Sequence, residues 1–157
     1  IQASGRQAPN NLYDVPVEMH VRMEFDDPQF VFTWDQTDGA PLNIEFVGSQ
    51  ATLSGFWDFK VTEGKADLSP TRRDEVHLER SDSHSVNWLE CIATRRRPVM
   101  DVEIGHRSTS MALLANISLA TESTLHWDPE RERVTNVPEA NDLLHYEYRK
   151  PWTLDDA

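Results

Sequence analysis

The side chains best suited to chemistry lie together in the stretch RPVMDVEIGHRST, residues 97–109. Its imidazole, guanidinium and carboxylate groups could belong to an active site. The same stretch has the pattern of a joint between two helices, because Pro98 would end one helix and Asp101 would cap the next. Polar residues at helix starts commonly cap or pair, so His106 and Arg107 have a second interpretation as hydrogen-bonding residues within or between domains.

A second set of candidates is the group of carboxylates around TWDQTDG, namely Asp35, Asp38 and Glu45. Two of them could act as acid and base in a hydrolase, but the separation that such a pair needs is spatial. A solvated loop is the competing interpretation, which the turn-forming residues favour.

The chain has none of the short motifs that cradle phosphates, bind zinc or activate a serine. G-x-G-x-x-G, G-x-x-x-x-G-K, G-x-S-x-G and H-E-x-x-H are all missing, and the six histidines are widely spaced. The nearest glycine-rich stretch, GSQATLSG, lies between two predicted strands and is interpreted as a turn. We therefore assign no catalytic, cofactor-binding or metal-binding residue to this chain.

Composition and charge limit the class of partner. The 157 residues suit one domain, 1–157, and the net charge of -12 disfavours nucleic acid and anionic membranes. No apolar run approaches the roughly 20 residues of a membrane span, and no signal peptide is recognised. A single cysteine, Cys91, permits no internal disulfide and favours the cytoplasm. Because the chain begins IQASGRQ without Met, it is interpreted as either a trimmed piece of a longer protein or a naturally short gene product, which leaves export open.

The first half of the chain is predicted to form strands. Apolar residues alternate from Val15 to Phe25, and a turn at residues 26–28 joins this strand to QFVFTWD in an antiparallel hairpin. LNIEFVG, one or two short strands within residues 51–64, and VHLER (76–80) follow.

The period then changes to that of helices. One helix is predicted within residues 81–98, with Ser81, Asp82 or Ser83 as N-cap and three arginines in its last turn, and a second from about 101 to about 120. TLHWDPERERV is predicted to form two short strands around a turn, and residues 139–144 carry a short helical signal. The predicted fold is α+β: an open, mainly antiparallel β-sheet with helices packed on one face.

Small residues distinguish the second helix, whose sequence is rich in serine and alanine between apolar positions. Such a helix can be approached closely on more than one side, which favours a missing neighbouring domain. A central helix in a small core is the alternative.

The segment NWLECIATRRRPVMDVEIGHRSTSMALLANIS, residues 87–118, resembles the C-terminal α/β domain of the glucose-fructose oxidoreductase / inositol dehydrogenase family (Gfo/Idh/MocA), in its bacterial subgroup. The downstream LHWDPERERV, EAN and YRKPWTL match in the same order, and VEMHVRMEF, FTWDQ and IEFVGSQATL match less specifically. The resemblance spans nearly the whole chain.

This resemblance implies a two-domain enzyme that oxidises or reduces a sugar or cyclitol hydroxyl. An N-terminal Rossmann domain would bind NAD or NADP and carry the catalytic Lys of the family. Lys150-Pro151 lies in the C-terminal tail, so we do not transfer that role to it. The chain would then be the substrate-binding and oligomerisation domain, inactive without the Rossmann domain, with His106, Arg107, Trp34 and Gln36 as candidate substrate-proximal residues.

Two further expectations concern partners. The alternative function is a stand-alone, non-enzymatic module for oligomerisation or carbohydrate binding; a hydrolase ranks last. We also expect a homo-oligomer formed through the open face of the sheet, because the strands hold more apolar area than one helical layer needs: Phe30, Val31, Phe32, Trp34, Leu42, Ile44 and Phe46.

Overall fold

The computed structural model describes residues 1–7, 16–37, 39–69, 72–151 and 153. Its strands and helices are β1 (Gln2–Gln7), β2 (Pro16–Asp26), β3 (Gln29–Gln36), β4 (Ile44–Val47), β5 (Ala51–Gly55), β6 (Lys60–Gly64), α1 (His84–Thr94), α2 (Val102–Thr121), β7 (Trp127–Asp128), β8 (Arg133–Val134) and a 3-10 helix (Pro138–Leu143). They form two compact units: residues 1–38 with 102–157, and residues 39–101.

The first unit contains a three-stranded antiparallel sheet in the order β1-β2-β3. The predicted hairpin of β2 and β3 is confirmed, with Phe25 opposite Phe30 next to the turn. Along β2 the side chains alternate as predicted, since Met19, Val21 and Met23 are buried and the residues between them are exposed. Val15, which the prediction placed at the start of this strand, lies outside the described residues.

Helix α2 covers the buried face of this sheet, where Ala115 packs among the β2 side chains. Leu114 and Ile117 of the same helix form a second cluster with Leu125, Val134 and Ala140. The small residues of α2 predicted that other elements pack against this helix on two sides. The structure shows both contacts, but both are made by this chain and not by a neighbouring domain. The structure thus supports the alternative interpretation, a central helix in a small core, for the part of the helix that is buried.

The opposite, open face of the sheet is polar. Three ion pairs cross or follow it: Arg6–Glu18, His20–Asp35 and Arg22–Glu24. Phe30, Phe32 and Trp34 lie on the helix side instead, because they are register partners of Phe25, Met23 and Val21. Self-association through the open face stays a prediction, but these three apolar side chains do not contribute to that face.

The second unit contains the antiparallel sheet β4-β5-β6 and helix α1. Ser83 is the N-cap of α1, since its hydroxyl accepts the Val86 N–H at 3.4 Å. The helix ends at Thr94 and Arg95 takes a left-handed conformation, so the prediction of arginines in the last turn was wrong. The predicted strand at residues 76–80 was also wrong, since this segment has no regular structure.

The C-terminal elements agree with prediction. β7 and β8 form the expected small hairpin, and the helical signal at 139–144 corresponds to the 3-10 helix. The fold class is confirmed as α+β with open antiparallel sheets. None of the helices in the described ranges is long and apolar enough to cross a membrane.

Candidate functional site

A cavity of about 1040 Å³ opens in the first unit, between the first turns of α2, the end of β2 and the segment that leads into β7. Besides aliphatic side chains, among them Met23, Met111, Leu114 and Leu125, its lining combines four kinds of polar or aromatic side chain. They are carboxylates (Glu24, Asp26, Asp27, Glu132), bases (Arg22, Arg107, His126), hydroxyls (Ser108, Ser110, Thr124) and aromatic rings (Phe25, Trp127). Such a wall offers both hydrogen-bond donors and acceptors beside apolar surfaces.

The α2 wall is shaped by hydrogen bonds within the helix. Arg107 Nε donates to Glu103 Oε1 at 2.6 Å, one turn earlier, which holds the guanidinium along the helix. Ser108 and Ser110 donate their hydroxyl protons to the carbonyls of Ile104 and His106 at 2.8 Å. Because those protons are used, both serine oxygens are available to the cavity as acceptors.

His106 joins α2 to the turn between β7 and β8. Its Nε2 lies 2.7 Å from Glu132 Oε1, and Glu132 has a left-handed backbone with a φ of 48°. The observed partners of His106 and Arg107 are carboxylates of this same unit, while their role toward a substrate stays a prediction. Glu132 also lines the cavity, so the pair forms part of its rim.

The β7–β8 turn is ordered by Asp128, whose Oδ1 accepts the backbone N–H groups of Glu130 and Arg131 at 3.0 and 3.1 Å. The Arg131 N–H is the main reason that the pKa of Asp128 lies below its ordinary value. On the other side of the cavity, the Ile1 amino group donates to the Leu125 carbonyl at 2.9 Å.

The predicted substrate-proximal residues are only partly brought together. Arg107 lines the cavity and His106 reaches its rim through Glu132. Trp34 and Gln36 lie on the helix side of β3, opposite Val21 and Met19, and do not line it.

The carboxylates considered for a hydrolase have other surroundings. Asp35 Oδ1 lies 2.7 Å from His20 Nδ1 on the open sheet face. Glu45 belongs to β4 of the second unit and accepts the Asn43 amide at 3.4 Å. Asp38 lies outside the described residues.

Several lining residues escaped the sequence analysis, among them Arg22, Asp26 and Trp127. The only signal for Asp26 and Trp127 was their position in DDP and WDP, which both mark turns, and Arg22 gave no signal beyond its place on the polar face of β2. The sequence does not show that these two turns meet at the first turns of α2, about 80 and about 20 residues away along the chain.

No cofactor or metal site is recognised in the part of the chain that the structure describes. No group of three or more His, Cys, Asp or Glu residues there could hold a metal ion. The sheets there pair only antiparallel strands, so no parallel strand–helix–strand unit is available to hold a dinucleotide. The residues of the cavity do not fit such a cofactor either, because four carboxylates would face its phosphates.

Two substitutions distinguish a structural role at the connection between the helices from a role in substrate binding. Asp101→Ala, which removes the carboxylate that precedes α2 and accepts Arg97 Nε at 3.0 Å, is expected to cost about 0.5–2 kcal/mol of stability. His106→Ala should cost less than about 1 kcal/mol, because its ion pair with Glu132 is half exposed. Thermal unfolding of both variants measures the difference, and an equal loss for His106→Ala would make it a structural residue.

Comparison with known proteins gives one match. A family model described as the C-terminal alpha/beta domain of an oxidoreductase family matches residues 13–154, which is most of the chain. No curated protein and no solved structure matches it.

Proposed function

We propose that this chain, which belongs to the Gfo/Idh/MocA oxidoreductase family as its C-terminal alpha/beta domain, is the substrate-binding domain of an NAD(P)-dependent enzyme acting on a sugar or cyclitol hydroxyl. The observation that carries the proposal is the cavity beside α2, whose lining alternates carboxylates, hydroxyls and guanidinium groups around two aromatic rings. Family membership supports the proposed reaction class, and the lining of the cavity supports the proposed substrate class.

The lining supports a polyol better than an anion or an apolar ligand. Glu24, Asp26 and Asp27 can each accept protons from vicinal hydroxyls, while Arg107 can donate to ring or hydroxyl oxygens. Trp127 can lie against the C–H face of a sugar ring. An anionic ligand would meet a wall dominated by carboxylates, and an apolar ligand would leave those groups without partners.

In this proposal the chain binds and orients the substrate and does not transfer hydride by itself. NAD or NADP would supply the hydride acceptor or donor when held by a Rossmann domain outside this chain. The residues of this chain contribute hydrogen bonds that fix which hydroxyl faces that domain, and the walls of the cavity limit access of water to it.

The experiment is a calorimetric titration of the chain with a panel of hexoses and inositols. We expect a dissociation constant on the order of 1 mM for at least one of them, and Arg107→Ala should weaken it about tenfold. Arg131→Ala is the matched control, because Arg131 is a surface arginine that does not line the cavity. NAD and NADP should show no dissociation constant below about 100 μM.

Different outcomes separate the alternatives. Sugar binding that Arg107→Ala leaves unchanged would place the substrate elsewhere, and tight dinucleotide binding would contradict the division of roles between domains. The gene upstream of Ile1 should encode a Rossmann domain. Sugar binding without such a region would instead identify a stand-alone carbohydrate-binding module.

A further inference from the structure

The cavity beside α2 opens at a free edge of strand β2. Six consecutive residues of β2 and the turn after it, 22–27, line the cavity. Successive side chains of a strand point to opposite faces of the sheet, so all six can line one cavity only at the edge of the strand. β1 pairs with β2 no farther than Arg22, and from Met23 to Asp26 only β3 pairs with β2 in the described chain. Backbone groups of this edge therefore add to the polar lining of the cavity.

The positively charged side chains of the lining are already paired with carboxylates. Arg22 Nη2 lies 2.9 Å from Glu24 Oε1, and Arg107 Nη2 lies 2.6 Å from Glu103 Oε1. The Glu132 carboxylate is paired as well, with the imidazole of the same unit that was described above. These ion pairs leave the charges of both arginines and of two lining carboxylates balanced within the chain.

Two other lining carboxylates, those of Asp26 and Asp27, form no ion pair with any residue that the structure describes. Every lysine and arginine of the chain belongs to the described residues. The Ile1 amino group also lines the cavity, but it donates to the Leu125 carbonyl at 2.9 Å and pairs with neither carboxylate. The lining thus offers two carboxylates whose charges no side chain of the described residues pairs with.

The neutral polar groups of the α2 wall are acceptors too. Ser108 and Ser110 donate their hydroxyl protons to helix carbonyls, so each presents only oxygen lone pairs to a ligand. A sugar hydroxyl brings one donor together with acceptor lone pairs. A protonated amine brings three donors, no acceptor and a positive charge, so it matches a wall with surplus acceptors and unpaired negative charge better.

From this surplus we propose that the cavity selects a polyol that carries a protonated amine, as an amino sugar or an aminocyclitol does, and holds the amine at Asp26 and Asp27. The inference rests on the proposed function, because it names the substrate class of the same cavity. Both aspartates are exposed, so neither has to give up a partner or a buried position to bind the amine. The remaining hydroxyls of the ligand are left for Arg107 and the two serines of the α2 wall.

Calorimetric titration of the chain at about pH 7, below the ordinary pKa of an amine, compares ligands that differ in charge on the same ring. Glucosamine should bind about fivefold more tightly than glucose, the gain expected of two exposed ion pairs. N-acetylglucosamine, whose nitrogen is uncharged, should bind no more tightly than glucose. A second pair, scyllo-inosamine and scyllo-inositol, tests the cyclitol ring, and the pair with the larger difference identifies the ring that the cavity takes.

Two matched double variants assign the preference to residues. Asp26→Asn together with Asp27→Asn should bring the ratio of the two dissociation constants, glucose to glucosamine, to within about twofold of unity. The control, Asp142→Asn together with Glu147→Gln, removes the same charge from exposed residues of the same unit that do not line the cavity, and it should keep the native ratio. All four substitutions keep the size of the side chain, and circular dichroism checks that both variants keep their fold.

Each contrary result has a distinct meaning. An equal preference for the amine in both double variants would overturn the inference, because the attraction would then come from the net charge of -12. Binding of neutral sugars that depends on Arg107, with no preference for the amine, would overturn this inference and leave the proposed function standing. A chain that binds none of these ligands would overturn the proposed function and this inference with it.

Discussion

Replacing Leu125 with alanine is expected to lower the free energy of unfolding by about 2–5 kcal/mol. Leu125 is 1% exposed and packs in the cluster that joins α2 to β8 and the 3-10 helix. Removing its side chain would leave a void that Leu114 and Val134 can fill only partly, because both are themselves fixed in the cluster. The loss would be a large fraction of the stability of an ordinary domain.

Urea unfolding followed by circular dichroism measures this effect. Leu113→Ala is the control. Leu113 also lies on α2, but its side chain is exposed, so the substitution should change the free energy of unfolding by less than about 0.5 kcal/mol. Leu125 also lines the cavity together with His126 and Trp127, so the variant should weaken sugar binding by altering this wall. If Leu125→Ala were as stable as the control, the cluster that Leu125 forms with Leu114 and Val134 would not be a packed core.

Ser118→Ala is expected to cost about 1–3 kcal/mol, although it removes a single oxygen atom. The Ser118 hydroxyl is fully buried, accepts the Ala3 N–H at 2.9 Å and donates to the Ser123 carbonyl at 2.7 Å. It thus ties strand β1 to the last turns of α2 and to the segment that follows the helix. Alanine would leave a backbone donor and a backbone acceptor without these bonds in a region that water does not reach easily.

The control is Ser108→Ala on the same helix. The Ser108 hydroxyl donates only to the Ile104 carbonyl and is exposed, so water can replace it and the change should stay within about 0.5 kcal/mol. Hydrogen exchange of the Ala3 amide gives an independent readout, since the Ser118 bond is its protection. An Ala3 amide that exchanges equally in both variants would contradict this role of Ser118.

The cavity and the core share one helix. The first turns of α2 supply Arg107, Ser108 and Ser110 to the cavity, whereas Ala115, Ile117 and Ser118 farther along are buried. A long helix with one polar, accessible end and one anchored end can hold a binding wall without further support. The anchoring residues therefore matter to binding through position, and the exposed polar lining residues of α2 matter little to stability.

The sequence by itself determined the elements whose signals are local. The period of two from Val17 to Phe25 predicted β2 and its buried face, because alternate side chains on a strand point to opposite sides. Helices α1 and α2 followed from the change of period and the capping residues, and the motif around GHRS identified the family. Arg107 was found at the cavity because it belongs to that motif.

Tertiary structure decided which surfaces are covered and what meets at the cavity. Phe32 has the alternation of a buried strand, yet it is exposed because α2 lies over β1 and β2 rather than β3. The second set of residues that packs against α2 lies at positions 125–140 of the same chain. The composition of a helix shows that something packs closely against it, but not whether that is another segment of the chain or another domain. Trp127 and Asp26 join one wall only through packing of distant turns, since burial and proximity depend on the whole fold and periodicity depends on a few adjacent residues.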